Sequence, residues 1–179
     1  MPALFLLLLL SLLTIRASAQ NAPVPPHLLQ NYWSARWIAH PGAPATQYGV
    51  YRFRKTIDLK EKPSHFVVHV SADNRYRLFV NGRPVSRGPA RSDTWHWNFE
   101  SLDLAPFLQK GKNILAAVVW NGGENAPYAQ MTFQTGFLLQ GETVTEHVAN
   151  TDASWLVMHD SACTPEPLDM ARMQTYIVV

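Results

Sequence analysis

The sequence predicts an all-β protein, a sandwich or a barrel, and three observations support this prediction. Short segments rich in β-branched and aromatic residues follow one another from residue 50 onward, separated by turn residues. The pair Asn81 and Gly82 lies between two such segments and tolerates the positive φ angles of a two-residue hairpin turn. No segment shows the 3.6-residue apolar period of a long helix. Many short strands at this spacing are typical of sandwiches and barrels.

The strands follow from the residue pattern, segment by segment. Strict alternation in the first strand places Tyr51, Phe53 and Ile57 on one face and Arg52 and Arg54 on the other. The predicted strands are 50–59, 65–72, 76–80, a short edge strand after the hairpin turn, 99–102, 113–120, 132–140, 143–148 and 155–158. The long apolar run at 113–120 predicts a strand buried on both faces, and 103–108 predicts one short helical turn.

Composition limits the class of protein. The 179 residues are 47% hydrophobic and 16% charged, with a formal net charge of +2, which fits one folded domain plus appendages. This balance indicates neither a nucleic acid nor a membrane as a partner. Cys163 is the single cysteine, so an internal disulfide and a cysteine-based metal site are excluded.

The N-terminus has the pattern of a targeting signal. Residues 4–13 form an almost pure apolar run that is too short to span a bilayer comfortably, and the small residues 17–19 follow it. We therefore expect cleavage before Gln20 and a secreted or periplasmic protein; an uncleaved anchor is the alternative. The predicted division is a signal peptide at 1–19, a flexible lead-in at 20–32, the β-sandwich at 33–160, and at 161–179 a truncated linker or start of a further β-domain.

One aromatic cluster lies between two predicted strands. Trp95 and Trp97 occur there with Arg91 and Asp93 beside them. Sugar rings present apolar C–H faces that stack on indoles, and their hydroxyl groups need fixed donors and acceptors, so the cluster is a candidate carbohydrate-binding site. In the alternative interpretation, one indole caps the core and the other covers the edge of a sheet.

A second cluster follows the apolar strand 113–120 in a glycine-containing loop. Its candidate carbohydrate-binding residues are Trp120, Asn121, Glu124 and Tyr128. The alternative is that this loop packs against a neighbouring domain.

Metal binding and catalysis leave few traces in the sequence. Asp73 and Asn74 could supply oxygen ligands to calcium, although such residues between two strands also make turns. No other cofactor is expected. His65 and His69 would lie about 13 Å apart on a strand, too far for one metal ion.

No residue is assigned a catalytic role, because the acidic side chains fall on strands and loops without a recognisable catalytic pattern.

Five arginines are concentrated in one stretch of the chain. Two of them, Arg75 and Arg77, alternate with apolar residues and so point outward from a predicted strand, where they are solvated or paired with acidic residues. Nucleic-acid binding would need a wider basic field. The cluster consists of Arg75, Arg77, Arg83, Arg87 and Arg91.

A resemblance to a known family rests on several segments. They are Ser-Ala-Asp-Asn-Arg-Tyr-Arg-Leu-Phe-Val-Asn-Gly at 71–82, Arg-Gly-Pro-Ala-Arg at 87–91, Asp-Leu-Ala-Pro-Phe-Leu at 103–108, and Gly-Lys-Asn-Ile-Leu-Ala at 111–116. In this combination the chain resembles the N-terminal β-sandwich of bacterial α-L-rhamnosidases of glycoside hydrolase family 78. It is similar more broadly to the galactose-binding-like jelly rolls that accompany many glycoside hydrolases. The segments 37–49 and 136–141 narrow the resemblance to the rhamnosidase type.

The resemblance implies a galactose-binding-like jelly-roll β-sandwich and a non-catalytic role. Family members remove terminal L-rhamnose with inversion, using two carboxyl groups about 6.5–9.5 Å apart on a helical barrel that follows the β-sandwiches. The sequence ends before such a barrel, so no catalytic residue is carried over. The implied partners are rhamnose-containing oligosaccharides and a catalytic domain of the same polypeptide. A stand-alone lectin-like module and a purely structural sandwich are the alternatives.

Overall fold

The computed structural model describes residues 24–30 and 32–165. Eight strands account for most of the regular structure, and the predicted signal peptide lies outside the described residues. The strands are β1 (Gly49–Leu59), β2 (Val67–Asp73), β3 (Arg75–Val80), β4 (Arg83–Gly88), β5 (Glu100–Asp103), β6 (Gly111–Asn121), β7 (Gly136–Gly141) and β8 (Leu156–His159). A short helix α1 (Pro26–Gln30) and three 3-10 helices, Ala105–Phe107, Gly123–Asn125 and Glu146–Ala149, complete the described structure.

The strands form two antiparallel sheets. The larger has five strands in the order β4-β3-β6-β1-β8, and the smaller has three in the order β5-β2-β7. β1 and β6 pair along their whole length, from Gly49 opposite Asn121 to Leu59 opposite Gly111. The prediction of an all-β protein is therefore confirmed, with the two sheets packed as a sandwich.

Phe137 lies where the two sheets meet. Its ring, on β7 of the smaller sheet, lies 5.5 Å from the ring of Phe53 and 6.3 Å from that of Tyr76, both of the larger sheet. The indole of Trp155 packs against the ring of Phe137 as well, with the two ring centroids 5.5 Å apart. All four side chains are buried, so the inner faces of both sheets share one aromatic centre.

Burial alternates in both long strands of the larger sheet. In β1 the predicted division is confirmed: Tyr51, Phe53 and Ile57 are buried, while Arg52 and Arg54 are exposed. The prediction that β6 is buried on both faces was wrong. Every second residue of β6 points outward. Because these outward residues are also apolar, the sequence reads as one uninterrupted hydrophobic run, which resembles a strand buried on both faces. The outward residues are Ile114, Ala116, Val118 and Trp120.

The hairpin turn and most predicted strands are confirmed within about two residues, and three segments differ. Asn81 and Gly82 have φ angles of 51° and 77°. The strand predicted at 132–140 begins only at Gly136. The segment 143–148 forms a turn that leads into the 3-10 helix Glu146–Ala149 instead of a strand, and the carboxylate of Glu146 accepts the backbone N–H of Thr143 at 3.0 Å. The predicted lead-in contains the helix α1, and the indole of Trp33 donates to the carbonyl of Leu28 at its C-terminal turn.

No helix in the described part of the chain has the length and hydropathy needed to cross a membrane.

Candidate functional site

An aromatic cleft of about 490 Å³ lies at the end of the smaller sheet where β2 ends and β7 begins. We call it the aromatic cleft, and it is lined by Trp37, Trp95, Trp97 and Phe133. The rings of Trp37 and Trp97 meet edge to face with their centroids 5.9 Å apart. Trp95 is 88% exposed and Phe133 is 70% exposed, so both present free ring faces to a ligand.

Trp37 reaches the cleft through a short backbone pairing. Ile38 forms an isolated antiparallel bridge with Phe137, with N···O distances of 3.0 and 2.9 Å. The segment before β1 therefore extends the smaller sheet beside β7. A Cβ added at Gly136 would lie 3.2 Å from Cε3 of Trp37. Glycine at this position avoids that tight contact, so the indole can approach the start of β7 closely.

The buried carboxylate of Asp73, at the end of β2, fixes another wall of the cleft. Its Oδ2 accepts the backbone N–H groups of Phe133 and Gln134 at 2.6 and 2.8 Å. Its Oδ1 accepts the hydroxyl of Thr132 at 2.7 Å and the side-chain amide of Asn74 at 2.8 Å. Three of these four hydrogen bonds hold the loop that presents Phe133, and the fourth joins Asp73 to its neighbour Asn74.

Asp93 shapes the loop that carries the two predicted tryptophans. Its Oδ1 accepts the backbone N–H groups of Trp95 and His96 at 2.7 and 2.8 Å, which is the geometry of an Asx turn. Hydrogen bonding to the His96 side chain and then to these backbone groups lowers the pKa of the Asp93 carboxyl. Asp93 therefore orders the loop and does not line the cleft.

Arg91 links this loop to the second predicted cluster. Its Nη1 donates to the carbonyl oxygen of Tyr128 at 3.4 Å, and its own carbonyl accepts the side-chain amide of Asn98 at 2.9 Å. Arg91 does not line the aromatic cleft. Its contacts fit a role in joining two loops.

The second predicted cluster does not form one site. Asn121 is buried, and its amide donates to the hydroxyls of Thr132 and Thr135, both at 2.9 Å. Tyr128 is 99% exposed, and Glu124 is exposed in the loop before it. Trp120 lies on the outer face of the larger sheet and lines a different cavity. Through its hydrogen bonds to Thr132 and Thr135, the buried Asn121 supports the loop that carries Phe133.

The calcium prediction meets a carboxylate that is already engaged. Both oxygens of Asp73 accept hydrogen bonds, and the Oδ1 of Asn74 accepts the backbone N–H of Gly122 at 3.0 Å. Among residues 24–30 and 32–165, no group of three or more His, Cys, Asp or Glu side chains is placed to hold a metal ion. His65, which the sequence analysis also considered as a metal ligand, instead pairs with Asp103, its Nδ1 lying 2.9 Å from the Oδ2 of that carboxylate.

Sequence reasoning placed Trp95 and Trp97 in a candidate binding site, and the structure adds three residues to their surroundings. Trp37 and Phe133 contribute two further rings, and Asp73 also lines the cleft. These residues are far apart in sequence, and no spacing rule joins them. The signal that could have found Phe133 is an exposed aromatic in a loop next to a glycine that starts a strand.

Comparison with known proteins gives a consistent set of relatives. No family model matches the sequence. An α-L-rhamnosidase of Streptomyces avermitilis is 30% identical over 105 residues, which is 56% of this chain and 10% of that protein. The crystal structure of a GH78 rhamnosidase of Bacillus sp. GL1 has a TM-score of 0.65 and 29% identity over 72% of this chain and 14% of that one.

A lectin shares the fold as well. The apo lectin of Pleurotus ostreatus has a TM-score of 0.51 and 25% identity, covering 78% of this chain and 37% of that one. The chain spans only about a tenth to a seventh of the length of the rhamnosidases that it matches. In sequence and in structure, the chain is thus a homologue of one part of the GH78 α-L-rhamnosidases.

Proposed function

We propose that this chain is a non-catalytic accessory domain of a secreted or periplasmic α-L-rhamnosidase-like glycoside hydrolase, and that its aromatic cleft binds rhamnose-containing glycans. The observation that carries the proposal is the cleft itself, with three indoles and one phenyl ring around about 490 Å³. The homology to part of the GH78 rhamnosidases and the likeness to a lectin support a carbohydrate ligand.

The lining of the cleft suits a deoxy sugar. Rhamnose carries a methyl group where most hexoses carry a hydroxymethyl group, so it offers indoles more apolar surface. The rings of Trp95 and Phe133 are exposed for stacking against such a surface. Thr94 and Gln134 also line the cleft and supply a hydroxyl and an amide for the ring hydroxyls.

The cleft has no pair of carboxyl groups for glycoside hydrolysis. Inversion needs a general acid and a general base about 6.5–9.5 Å apart. Asp73 is the single carboxylate among the described lining residues, and four hydrogen bonds occupy it. We therefore assign hydrolysis to a catalytic domain elsewhere in the polypeptide, which this domain supports and supplies with substrate.

Isothermal titration of the purified full chain with L-rhamnose and rhamnose-bearing oligosaccharides, with and without calcium, tests the proposal. We expect saturable binding that Trp95→Ala or Trp97→Ala weakens about two- to tenfold, because stacking on an aromatic ring contributes about 0.5–1.5 kcal/mol. Tyr32→Ala is the matched control, since Tyr32 is fully exposed and does not line the cleft. The intact mass of the purified chain shows whether cleavage occurs before Gln20.

A purely structural sandwich is the second candidate, and the exposure of Trp95 and Phe133 also favours it. Exposed aromatic rings of this size commonly mark an interface with another domain. Absence of heat with every sugar, from a chain that circular dichroism shows to be folded, would support this second candidate. Saturable binding of a sugar that lacks rhamnose would instead indicate a lectin-like module with a different specificity.

A further inference from the structure

A second cavity, of about 720 Å³, opens on the outer face of the larger sheet. It is formed by β3, β4 and the end of β6, and shares no lining residue with the aromatic cleft. We call it the arginine cavity. Its charged and aromatic lining consists of Arg75, Arg77, Arg87 and Trp120.

The arginine cavity carries positive charge without a compensating acid. In the described part of the chain, no carboxylate lies within ion-pair distance of Arg75, Arg77 or Arg87. Arg52, on the same face of the sheet, does have such a partner, since Asp160 lies 2.6 Å from it. Three arginines without a carboxylate partner among the described residues therefore lie together in the lining of the cavity.

Two of these arginines oppose each other directly. Arg77 on β3 is the register partner of Arg87 on β4. Like charges directly opposite on neighbouring strands destabilise a sheet, so the pair is unfavourable for the fold by itself. An anion between the two guanidinium groups would remove that repulsion and accept charge-assisted, bidentate hydrogen bonds from both.

The cavity is also partly organised before any ligand arrives. The guanidinium carbon of Arg77 lies 5.3 Å from the ring centre of Phe79, a cation–π contact that holds it over the sheet. Trp120 is the register partner of Arg75 and places an indole beside the charges. Fixed guanidinium groups next to an indole suit a ligand that joins an anion to a ring with an apolar face.

We propose that the arginine cavity binds the carboxylate or sulfate groups of an acidic polysaccharide. A uronate or sulfated sugar supplies both features of the ligand in one residue, the anion for Arg77 and Arg87 and the C–H face for Trp120. An acidic protein supplies carboxylates without the sugar ring. A glycan is favoured over a nucleic acid because the chain is homologous to part of a glycoside hydrolase and carries a net charge of only +2.

Titration of the full chain with polygalacturonate tests the carboxylate, and titration with dextran sulfate tests the sulfate. We expect binding to at least one of them, weakened at least tenfold by Arg77→Gln or Arg87→Gln and reduced when sodium chloride is raised from about 0.05 to 0.5 M. Binding of one polymer alone identifies which anion the cavity recognises. Arg87→Gln should fold at least as stably as the wild type, because it removes the repulsion between the two arginines, whereas Arg77→Gln also loses the cation–π contact with Phe79.

Three controls separate a built site from diffuse charge. Arg83→Gln removes the same charge from the same hairpin, but Arg83 stacks on Phe107 at 4.9 Å and does not line the cavity. It should change affinity less than twofold. Arg77→Lys keeps the charge and loses the bidentate geometry, so it should weaken binding severalfold. Fully methyl-esterified polygalacturonate and neutral dextran should not bind.

Several results would overturn the proposal. One is the absence of binding to both acidic polysaccharides; another is an equal loss of affinity in Arg83→Gln. Poly-L-glutamate or oligodeoxythymidylate binding as tightly as either polysaccharide would assign the cavity to an acidic protein or to a nucleic acid. Binding of L-rhamnose is unaffected by these arginine variants if the aromatic cleft holds it, so failure of one site is distinguishable from failure of the other.

Discussion

Single polar side chains decide the shape of the aromatic cleft. Asp73 holds the loop of Phe133, Asp93 holds the loop of Trp95, and Asn121 supports the first of these loops from behind. These three residues can affect sugar affinity without contacting the sugar. A ring can stack on a ligand only where its backbone is fixed, so these residues position the aromatic side chains.

Asp73→Asn tests this positioning role. Asparagine offers one acceptor oxygen where the carboxylate offers two, so its amide group would face donors that the loop 132–134 presents. We expect the free energy of unfolding to fall by about 1–3 kcal/mol and sugar affinity at the cleft to fall with it. Urea unfolding followed by tryptophan fluorescence, combined with titration of rhamnose oligosaccharides, measures both.

Asp58→Asn is the matched control for Asp73→Asn, because Asp58 is exposed on β1 and points away from the core. A loss of stability no larger than that of the control would show that the hydrogen bonds of Asp73 are not what fixes the loop.

At the scale of strands and loops, the local sequence predicts the positions of most strands. It fails where contacts with neighbouring strands determine which residues are buried. Alternation located β1, and Asn81-Gly82 located the hairpin, because both signals are local. The double-sided burial expected for β6 failed because apolar outward residues lie beside the arginines of β1 and β3. The strand expected at 143–148 failed because local hydrogen bonds form a turn there: Glu146 donates its backbone N–H to the carbonyl of Thr143 and accepts the N–H of Thr143 with its carboxylate.

The turn between β5 and its 3-10 helix depends on Asp103, whose contribution to stability should depend on pH. Burial alone would raise the pKa of Asp103, but the N–H groups of Ala105 and Phe66 and the side chain of His65 outweigh it and lower the pKa. Because the folded-state pKa lies below the ordinary value of 3.8, the stabilisation is complete above pH 3.8. It is lost as the pH falls through the lowered folded-state value.

Asp103→Asn isolates this effect, since its carbonyl oxygen still accepts from Phe66 and Ala105 but does not titrate in this range. We expect the wild type to be more stable than the variant at pH 5, and the difference to shrink at pH 3. Urea unfolding at both pH values measures it. A difference that stays constant or grows on acidification would contradict the assignment.

At the scale of the whole molecule, the cleft forms only when tertiary contacts bring together segments that are far apart in the sequence. Its four rings come from positions 37, 95, 97 and 133, which a sequence pattern cannot join. Backbone pairing at Ile38 and the end of β2 bring them together. The two tryptophans within one loop could be predicted from local composition, and the other half of the site could not.

The same dependence predicts that the sandwich unfolds as one unit, with Phe137 at its centre. Phe137→Ala would leave a cavity between the two sheets and should lower the free energy of unfolding by about 3–5 kcal/mol. Domains of this size have about 5–15 kcal/mol in total, so the loss is a large fraction. Leu156→Ala, at a side chain that is 61% exposed on β8, should cost about 0.5 kcal/mol or less.

Urea unfolding followed in parallel by circular dichroism and tryptophan fluorescence measures the loss. Coincident transitions in wild type and variant are expected, because Phe53 and Tyr76 of one sheet pack on the same ring of the other. Two separate transitions, or a loss no greater than that of Leu156→Ala, would mean that the sheets do not depend on a common core. The aromatic cleft should be lost in the same transition, since Gly136, next to Phe137 in the chain, forms part of its wall.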